Sequence, residues 1–323
     1  MNLRKSLLCL IVLTVFLLFL SISGKAAQGD FEIQIETEKK QIRYGDPIVL
    51  DITLEYEKPQ ISQRTGKLSK VTTLDEVSLS IKWTDANETR VIPFRLHVDF
   101  AMQDSKGLKY KKNAVLFCDL YEERRKYIKN FIFDRVGTCT LQVIRANNKS
   151  NAIELTVEPS ELNEKALFIL SEVQDLAFLI GGLFKDSNTV SKLEQVVQQC
   201  EGTTLANWSA ARLGVEYFEE FNRQYYNSKE LKAIRQKKSK GYPLFNKARI
   251  YLEKGSALPD GFPIRGEVLD KLMETEYING NYQEAIRLAE ELESKYPHSK
   301  YGKRASRAKK ELRELEEAEK GKK

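Results

Sequence analysis

Histidine and cysteine are scarce in this 323-residue chain, which has two of the first and four of the second. The two histidines, His97 and His298, fall in different halves, so a histidine metal site or a Ser/His/Asp triad would require both halves to meet. No phosphate-binding loop, dinucleotide fingerprint, HExxH or CxxC motif occurs either. The sequence therefore predicts a protein without catalytic residues, metal ligands or a cofactor.

The few cysteines also argue against a disulfide framework. Cys9 lies in an N-terminal apolar run, which leaves the odd number of three in the rest of the chain: Cys118, Cys139 and Cys200. Cys118 and Cys139 lie on neighbouring predicted strands and could form a disulfide in an oxidising compartment. Two buried free thiols are the alternative.

The N-terminus has the pattern of an export signal. Arg4 and Lys5 precede the apolar run Leu7–Leu20, and the small residues Gly24 and Ala26 follow it. We expect residues 1–26 to be a signal peptide cleaved after Ala26, so that the mature protein is exported to the periplasm or beyond the cell. The alternative is a retained membrane anchor, since the apolar segment nearly reaches the roughly 20 residues that span a bilayer.

Charge gives little indication of a nucleic-acid partner. The formal net charge is +6, and it falls to +3 once the three basic residues of the signal segment are removed. The two basic stretches of the chain lack the interleaved aromatic side chains that stack on bases. We therefore expect no nucleic-acid binding.

The first half alternates apolar and polar residues, as strands with one buried face do. Phe31, Ile33 and Ile35, for example, alternate with polar neighbours. About eight strands result, at 31–35, 48–56, 77–83, 94–100, 116–120, 131–133, 139–143 and 153–157. Short alternating strands separated by turn sequences predict an antiparallel β-sandwich domain over residues 27–159.

The end of this half resembles a known family. Residues 133–143, followed by residues 150–157, resemble the last two strands of bacterial immunoglobulin-like domains. An aromatic residue commonly occupies the place of Cys139 in that family, so the chain departs from the pattern there. The resemblance implies an immunoglobulin-like sandwich.

After Pro159 the apolar spacing becomes helical. Ser160 offers an N-cap, and Glu161 and Glu164 are acidic first-turn residues of a predicted helix. The domain boundary is expected here, with an all-α domain over residues 160–323. We expect hairpins at 162–201, 205–255 and 264–296, and a closing helix near 299–317.

Two motifs in this half resemble tetratricopeptide repeats. One runs from Gly280-Asn281-Tyr282 through Ala285, Ala289 and Leu292 to Pro297, and the other is Ala210-x-x-Leu213-Gly214-x-x-Tyr217. The phrase Tyr296-Pro297-His298-Ser299 resembles the subgroup common in bacterial envelope proteins. The resemblance implies stacked helical hairpins.

Stacked hairpins of this kind form a concave groove that binds a protein or a peptide. The chain is therefore expected to be an exported, non-catalytic binding or scaffold protein of the cell envelope. First-helix positions that packing does not require are the candidate partner-binding residues: Asn207, Arg212, Glu216, Asn222, Lys271 and Glu274.

Two other functions stay open. The first is a polysaccharide-binding envelope enzyme or enzyme accessory, in which Trp83 or exposed tyrosines stack on sugars. The second is a membrane-anchored structural subunit, which requires the N-terminal segment to remain attached. An anionic surface could also be a partner, through the basic residues Lys232, Arg235, Lys237 and Lys238.

Overall fold

The computed structural model describes residues 31–56, 74–86, 89–97, 101–104, 107–116, 132–133, 135–145, 148–173, 187–225, 242–262 and 264–320. The predicted features that lie outside these residues are the signal segment 1–26, Cys118, the basic group at residues 232–238, and residues 98–100, 117–120 and 131 of the predicted strands. They stay predictions.

Ten strands are described in the first half of the chain. They are β1 (Phe31–Glu36), β2 (Gln41–Arg43), β3 (Ile48–Tyr56), β4 (Leu74–Trp83), β5 (Thr89–His97), β6 (Ala101–Asp104), β7 (Gly107–Leu116), β8 (Gly137–Arg145), β9 (Asn148–Lys149) and β10 (Ile153–Glu158). Four of them form one sheet in the order β1-β3-β7-β6, with antiparallel pairs throughout. The second sheet has six strands in the order β2-β10-β8-β4-β5, with β9 paired to β8.

The prediction of an immunoglobulin-like antiparallel sandwich is wrong, because the six-stranded sheet is mixed. Its edge strand β2 pairs in parallel with β10, in a register that places Gln41 opposite Thr156 and Arg43 opposite Glu158. Beyond this ladder, Tyr44 N–H donates to Glu158 O over 2.6 Å. With three residues, β2 is too short for its alternation to be recognised in the sequence, so the parallel pair could not be predicted.

Several strand bounds also differ from the predicted ones. Residues 132–133 form a bend and not a strand, and Phe133 is buried in the cluster of the strands. Strand β7 ends at Leu116, the first residue of the predicted segment 116–120, and pairs with β3. The predicted alternation of apolar residues is otherwise present: Ile33, Ile35, Ile52 and Leu54 are all buried.

The helical array after residue 160 is confirmed. The described helices are α1 (Glu161–Ser171), α2 (Ser187–Gln199), α3 (Thr204–Tyr225), α4 (Pro243–Gly255), α5 (Arg265–Ile278), α6 (Tyr282–Lys295) and α7 (Lys300–Lys320). Consecutive helices pack against one another, with extensive contacts of α3 with α4, α5 with α6, and α6 with α7. The side-chain hydroxyl of Ser160 caps α1 by accepting from Asn163 N–H.

Small residues allow the closest helix contact. A Cβ on Gly255 would lie 2.5 Å from Ala211 Cα, and one on Gly214 would lie 2.6 Å from the Leu252 backbone nitrogen. Both separations are shorter than van der Waals contact, so α3 and α4 can approach this closely only with glycine at both sites. Gly280, between α5 and α6, has φ +75°, which glycine adopts without strain.

The buried side chains form two clusters. One belongs to the strands and includes Leu50, Ile81 and Leu141, while the other belongs to the helices and includes Phe218 and Leu252. The predicted boundary at residue 159 falls between the last residue of β10 and the first of α1. The division into two domains with this boundary stays a prediction.

The two clusters meet at the turn between β2 and β3. Tyr44 packs against both clusters, and Val49 of β3 packs against the helical one. In the same turn Gly45 has φ +74°, and a Cβ there would overlap the Leu167 side chain of α1. Within the described residues, none of the helices is both long and apolar enough to span a bilayer.

Candidate protein-binding face

The candidate residues belong to helices that share one side of the array. Helices α3 and α5 each open a hairpin, α7 closes the array, and α5 contacts both of the others. We call the surface that these three helices form the first-helix face. Four candidates lie on α3 (Asn207, Arg212, Glu216 and Asn222) and two on α5 (Lys271 and Glu274).

Lys271 connects α5 to α3. Its ammonium group forms an ion pair with Glu219 and lies 5.2 Å from the centroid of the Phe218 ring. The side chain is 13% exposed. Packing of the lysine stem and the cation–π contact both fix the position of the side chain. The positive charge of Lys271 therefore has a defined place at the contact between α3 and α5.

Arg212 is less accessible than expected, since it is only 8% exposed. Burial lowers the pKa of its guanidinium, and the nearby carboxylates of Glu267 and Glu216 oppose that effect. Because Arg212 lies between a carboxylate of α5 and one of α3, its charge can hold both of them in place. A partner would therefore meet Glu216, which is half-buried, before it met Arg212.

The structure does not bring all the candidates together. Asn207 lies in the first turn of α3 and Asn222 in its last, and both are half-buried. Fifteen residues of α-helix separate them, which is about 22 Å at 1.5 Å per residue. The candidates therefore follow the length of α3 and extend onto α5, as contacts to an elongated partner would, and do not form a compact pocket.

Glu274 belongs to a second ion-pair group, which connects α5 to α7. Arg304 of α7 donates through Nη2 to Glu274 Oε2 over 2.6 Å and through Nη1 to Asp270 Oδ2 over 2.8 Å. Each nitrogen thus contacts a different carboxylate, one turn apart on α5. The guanidinium of Arg304 is about half exposed, whereas Asp270 is buried.

Asp270 is the most constrained charge of the face. It is 2% exposed, and within the described residues its Oδ1 atom has no hydrogen-bond partner. Burial raises the pKa of Asp270, and the charges of Arg304 and Lys271 oppose the increase. The same carboxylate and that of Glu267 add to burial in raising the pKa of Tyr301 above its ordinary value.

Sequence reasoning missed Glu219, Glu267, Asp270 and Arg304 as members of this face. The signal was present for α5, because residues 267, 270, 271 and 274 are three or four apart and therefore share one side of a helix. The spacing of residues along α7 does not identify Arg304 in the same way. It belongs to a run of basic residues on α7, and only the position of α5 singles it out.

Other residues considered in the sequence take structural positions. Trp83 is 2% exposed, and the guanidinium of Arg135 lies over its ring, so the indole cannot stack on a sugar from solvent. His298 is exposed in the turn before α7. Cys139 is buried, and burial raises the pKa of its thiol to about 12. Since Cys118 lies outside the described residues, its pairing with Cys139 stays a prediction.

The described part of the chain contains no group of three or more histidine, cysteine, aspartate or glutamate side chains arranged to hold a metal ion. The charged groups of the first-helix face are carboxylates paired with lysine or arginine. Such groups can form ion pairs and hydrogen bonds with a partner's side chains.

Comparison with known proteins gives no family. No family model matches the chain, and no curated protein matches its sequence. Among solved structures, a β-glucosidase from Listeria innocua in complex with gluconolactone aligns at 10% identity and a TM-score of 0.25, over 41% of this chain and 16% of that one.

An alkylpurine DNA glycosylase from Pseudomonas fluorescens aligns at 15% identity and the same TM-score, over 43% of this chain and 33% of that one. The chain thus spans a third or less of the length of these proteins. Likeness at this level supports no conclusion about the fold or function of the chain.

Proposed function

We propose that this chain is an exported, non-catalytic scaffold protein of the cell envelope, and that its helical half binds a protein or peptide partner on the first-helix face. One observation carries the proposal: ion pairs connect the three helices of that face in sequence. Glu219 of α3 pairs with Lys271 of α5, and two carboxylates of α5 pair with Arg304 of α7.

A continuous row of charges on one side of a helical array favours binding of an elongated segment. Each charge is held by a neighbouring helix, so little side-chain entropy is lost when a partner binds. Acidic and basic groups alternate along the row from Glu219 through Lys271 and Glu274 to Arg304, which gives a partner a fixed order of charges to match. This argument supports recognition of a specific protein over nonspecific attraction to one sign of charge.

The alternative of polysaccharide binding cannot use Trp83, one of the aromatic residues expected to stack on sugars, because Trp83 is buried. The membrane-anchored alternative depends on the N-terminal segment. Sequencing the N-terminus of the protein purified from its host distinguishes a cleaved signal peptide from a retained anchor. A chain that starts at residue 27 supports export with cleavage, and a chain that still contains residue 1 supports the anchor.

Site-specific photo-crosslinking tests the binding face. A benzophenone amino acid replaces Asn222 on α3 in the full chain, and the crosslinked products are recovered from envelope and secreted fractions. Two control positions carry the same group elsewhere: Ile250 on α4 and Val91 on β5, which are 54% and 55% exposed. We expect one protein to be crosslinked from position 222 and absent from both controls.

Two results would contradict the proposal. Equal crosslinking from Ile250 would mean that the first-helix face is not the binding surface. Crosslinking from Val91 alone, or recovery of only polysaccharide or lipid, would mean that the helical half is not the protein-binding part.

A further inference from the structure

A small cavity lies between α5 and α7 on the first-helix face. Its volume is about 190 Å³, and its lining residues are Met273, Glu274 and Tyr277 from α5 and Arg304, Ala308, Glu311 and Leu312 from α7. Pockets for drug-sized ligands usually have about 300–1,000 Å³. The cavity is therefore too small for most such ligands and better suited to a single side chain.

Apolar groups form the floor of this α5–α7 pocket. Met273 and Leu312 are each 3% exposed, and Tyr277 and Ala308 are half-buried beside them. Methionine is flexible and adapts its shape to what packs on it. An apolar side chain entering the pocket would be removed from water on several sides, which favours binding.

The rim of the pocket is charged and mostly negative. Arg304 and Glu311 are exposed, and Arg304 already bonds both Glu274 and Asp270. The charged residues that line the pocket are thus two carboxylates, Glu274 and Glu311, and one guanidinium, Arg304, a formal balance of −1. Within the described residues Glu311 forms no ion pair, so its charge is open to a cation from outside.

We propose, on the basis of the protein-binding function above, that the α5–α7 pocket holds an apolar side chain of a partner segment that carries lysine or arginine beside it. The apolar side chain enters between Met273 and Leu312, and the adjacent cation lies near Glu311. The apolar anchor supplies most of the affinity, and the charge complementarity selects a basic segment over an acidic one. The occupant is thus a basic amphipathic segment of another protein.

Methionine NMR provides a direct reporter. The chain contains three methionines, Met1, Met102 and Met273, of which the last two remain after residue 26. With methyl-¹³C methionine, Met273 reports on the pocket, while Met102, which belongs to β6 and is not among the pocket-lining residues, is an internal control. The variant Met273→Leu assigns the two resonances.

Three synthetic peptides serve as probes: one with a leucine between lysines, the same peptide with alanine for leucine, and the same peptide with glutamates for lysines. We expect the first to shift the Met273 methyl resonance saturably and leave that of Met102 unchanged. The other two should bind about tenfold more weakly or not at all, which corresponds to about 1.4 kcal/mol.

A matched pair of variants tests whether the pocket itself is occupied. Ala308→Leu fills the pocket from α7, while Ser306→Leu places the same side chain at an exposed position of the same helix. Ala308→Leu should abolish the Met273 response, and Ser306→Leu should preserve it. Circular dichroism melts of both variants establish that they are folded.

The proposal is overturned if no peptide moves the Met273 resonance, if the glutamate peptide binds as well as the lysine peptide, or if Ala308→Leu responds like the wild type. Its failure is distinguishable from that of the proposed function. If position 222 gives a specific crosslink but no peptide shifts the Met273 resonance, the first-helix face still binds a protein and the α5–α7 pocket is not part of the binding site.

Discussion

Asn163 of α1 donates a hydrogen bond through Nδ2 to Asp46 Oδ1, over 2.9 Å, and so joins the first helix to the turn between β2 and β3. Asn163 is fully buried, whereas Asp46 is half-buried in the turn that also contains Gly45. Because the bond is charge-assisted and largely removed from water, it is among the stronger polar contacts between the strands and the helices.

Replacing this asparagine should therefore weaken the junction. Asn163→Ala should lower the free energy of unfolding by about 2 kcal/mol, since it removes a hydrogen bond to a charged group. Asn163→Asp should lower the free energy of unfolding further at pH 7, because two carboxylates would then face each other. Its stability should increase as the pH falls and one of these carboxylates is protonated. Urea denaturation at pH 7 and pH 4.5 measures both; equal losses for the two variants at pH 7 would contradict this account of the contact.

Gly45, at this junction, and Gly202, in the turn between α2 and α3, provide a matched comparison. Both have positive φ, +74° and +82°, so alanine is strained at each by about 1 kcal/mol. At Gly45 the new Cβ also overlaps the Leu167 side chain, whereas at Gly202 nothing lies within 4 Å. We expect Gly45→Ala to cost about 1 kcal/mol more than Gly202→Ala in urea denaturation. If both variants lose the same free energy of unfolding, the Leu167 side chain of α1 accommodates the new Cβ at no cost in stability.

Arg304 should contribute to stability as well as to binding. Arg304→Ala leaves the buried carboxylate of Asp270 without its closest cation, and we expect a loss of about 2 kcal/mol. Arg307→Ala removes an exposed arginine of the same helix and should change stability by less than about 0.5 kcal/mol. Thermal melts of both variants make the comparison. Similar losses of stability would mean that the bonds of Arg304 to Asp270 and Glu274 do not stabilise the fold.

The raised pKa of Asp270 predicts a pH-dependent effect. The folded state binds this proton more tightly than the unfolded chain, so the contribution of Asp270 to stability is complete below its ordinary pKa and is lost as pH rises through the folded value. At pH 7 the buried charge is therefore unfavourable. Asp270→Asn should have a higher Tm than the wild type at pH 7, and this advantage should shrink toward pH 4. A variant that is less stable at pH 7 would contradict the sign of the shift.

Local patterns predicted the helical half well, because its signals are periodic. The spacing of Leu213, Gly214 and Tyr217, and the turn at Gly280, indicated hairpins that the structure contains. The mixed sheet could not be predicted, since the parallel pairing of β2 with β10 joins residues more than 110 positions apart through a three-residue strand. Pairing across such a separation depends on the packing of the whole half.

The candidate face was predictable only in part for a similar reason. Lys271 and Glu274 were found because helical spacing places them away from the core. Asp270 was missed because a carboxylate at a buried position is recognisable only when its cation, Arg304, is known to lie beside it. Contacts between helices, and not patterns within them, define this group of charges.

The central claim is that a protein partner binds the charged residues of the first-helix face. It is tested most directly by exchanging the acidic and the basic residue of one ion pair. The double variant Glu219→Lys with Lys271→Glu keeps an ion pair between α3 and α5 but reverses its direction. The control exchanges Glu290 with Arg313, an exposed pair between α6 and α7 with its atoms 2.9 Å apart.

The measurement is the Kd of the partner recovered by crosslinking, for the wild type and both double variants, after melts have shown that all three are equally folded. We predict that the first exchange weakens binding at least about tenfold and that the second changes it by less than about twofold. Unchanged affinity after the first exchange, or a larger loss after the second, would contradict the claim.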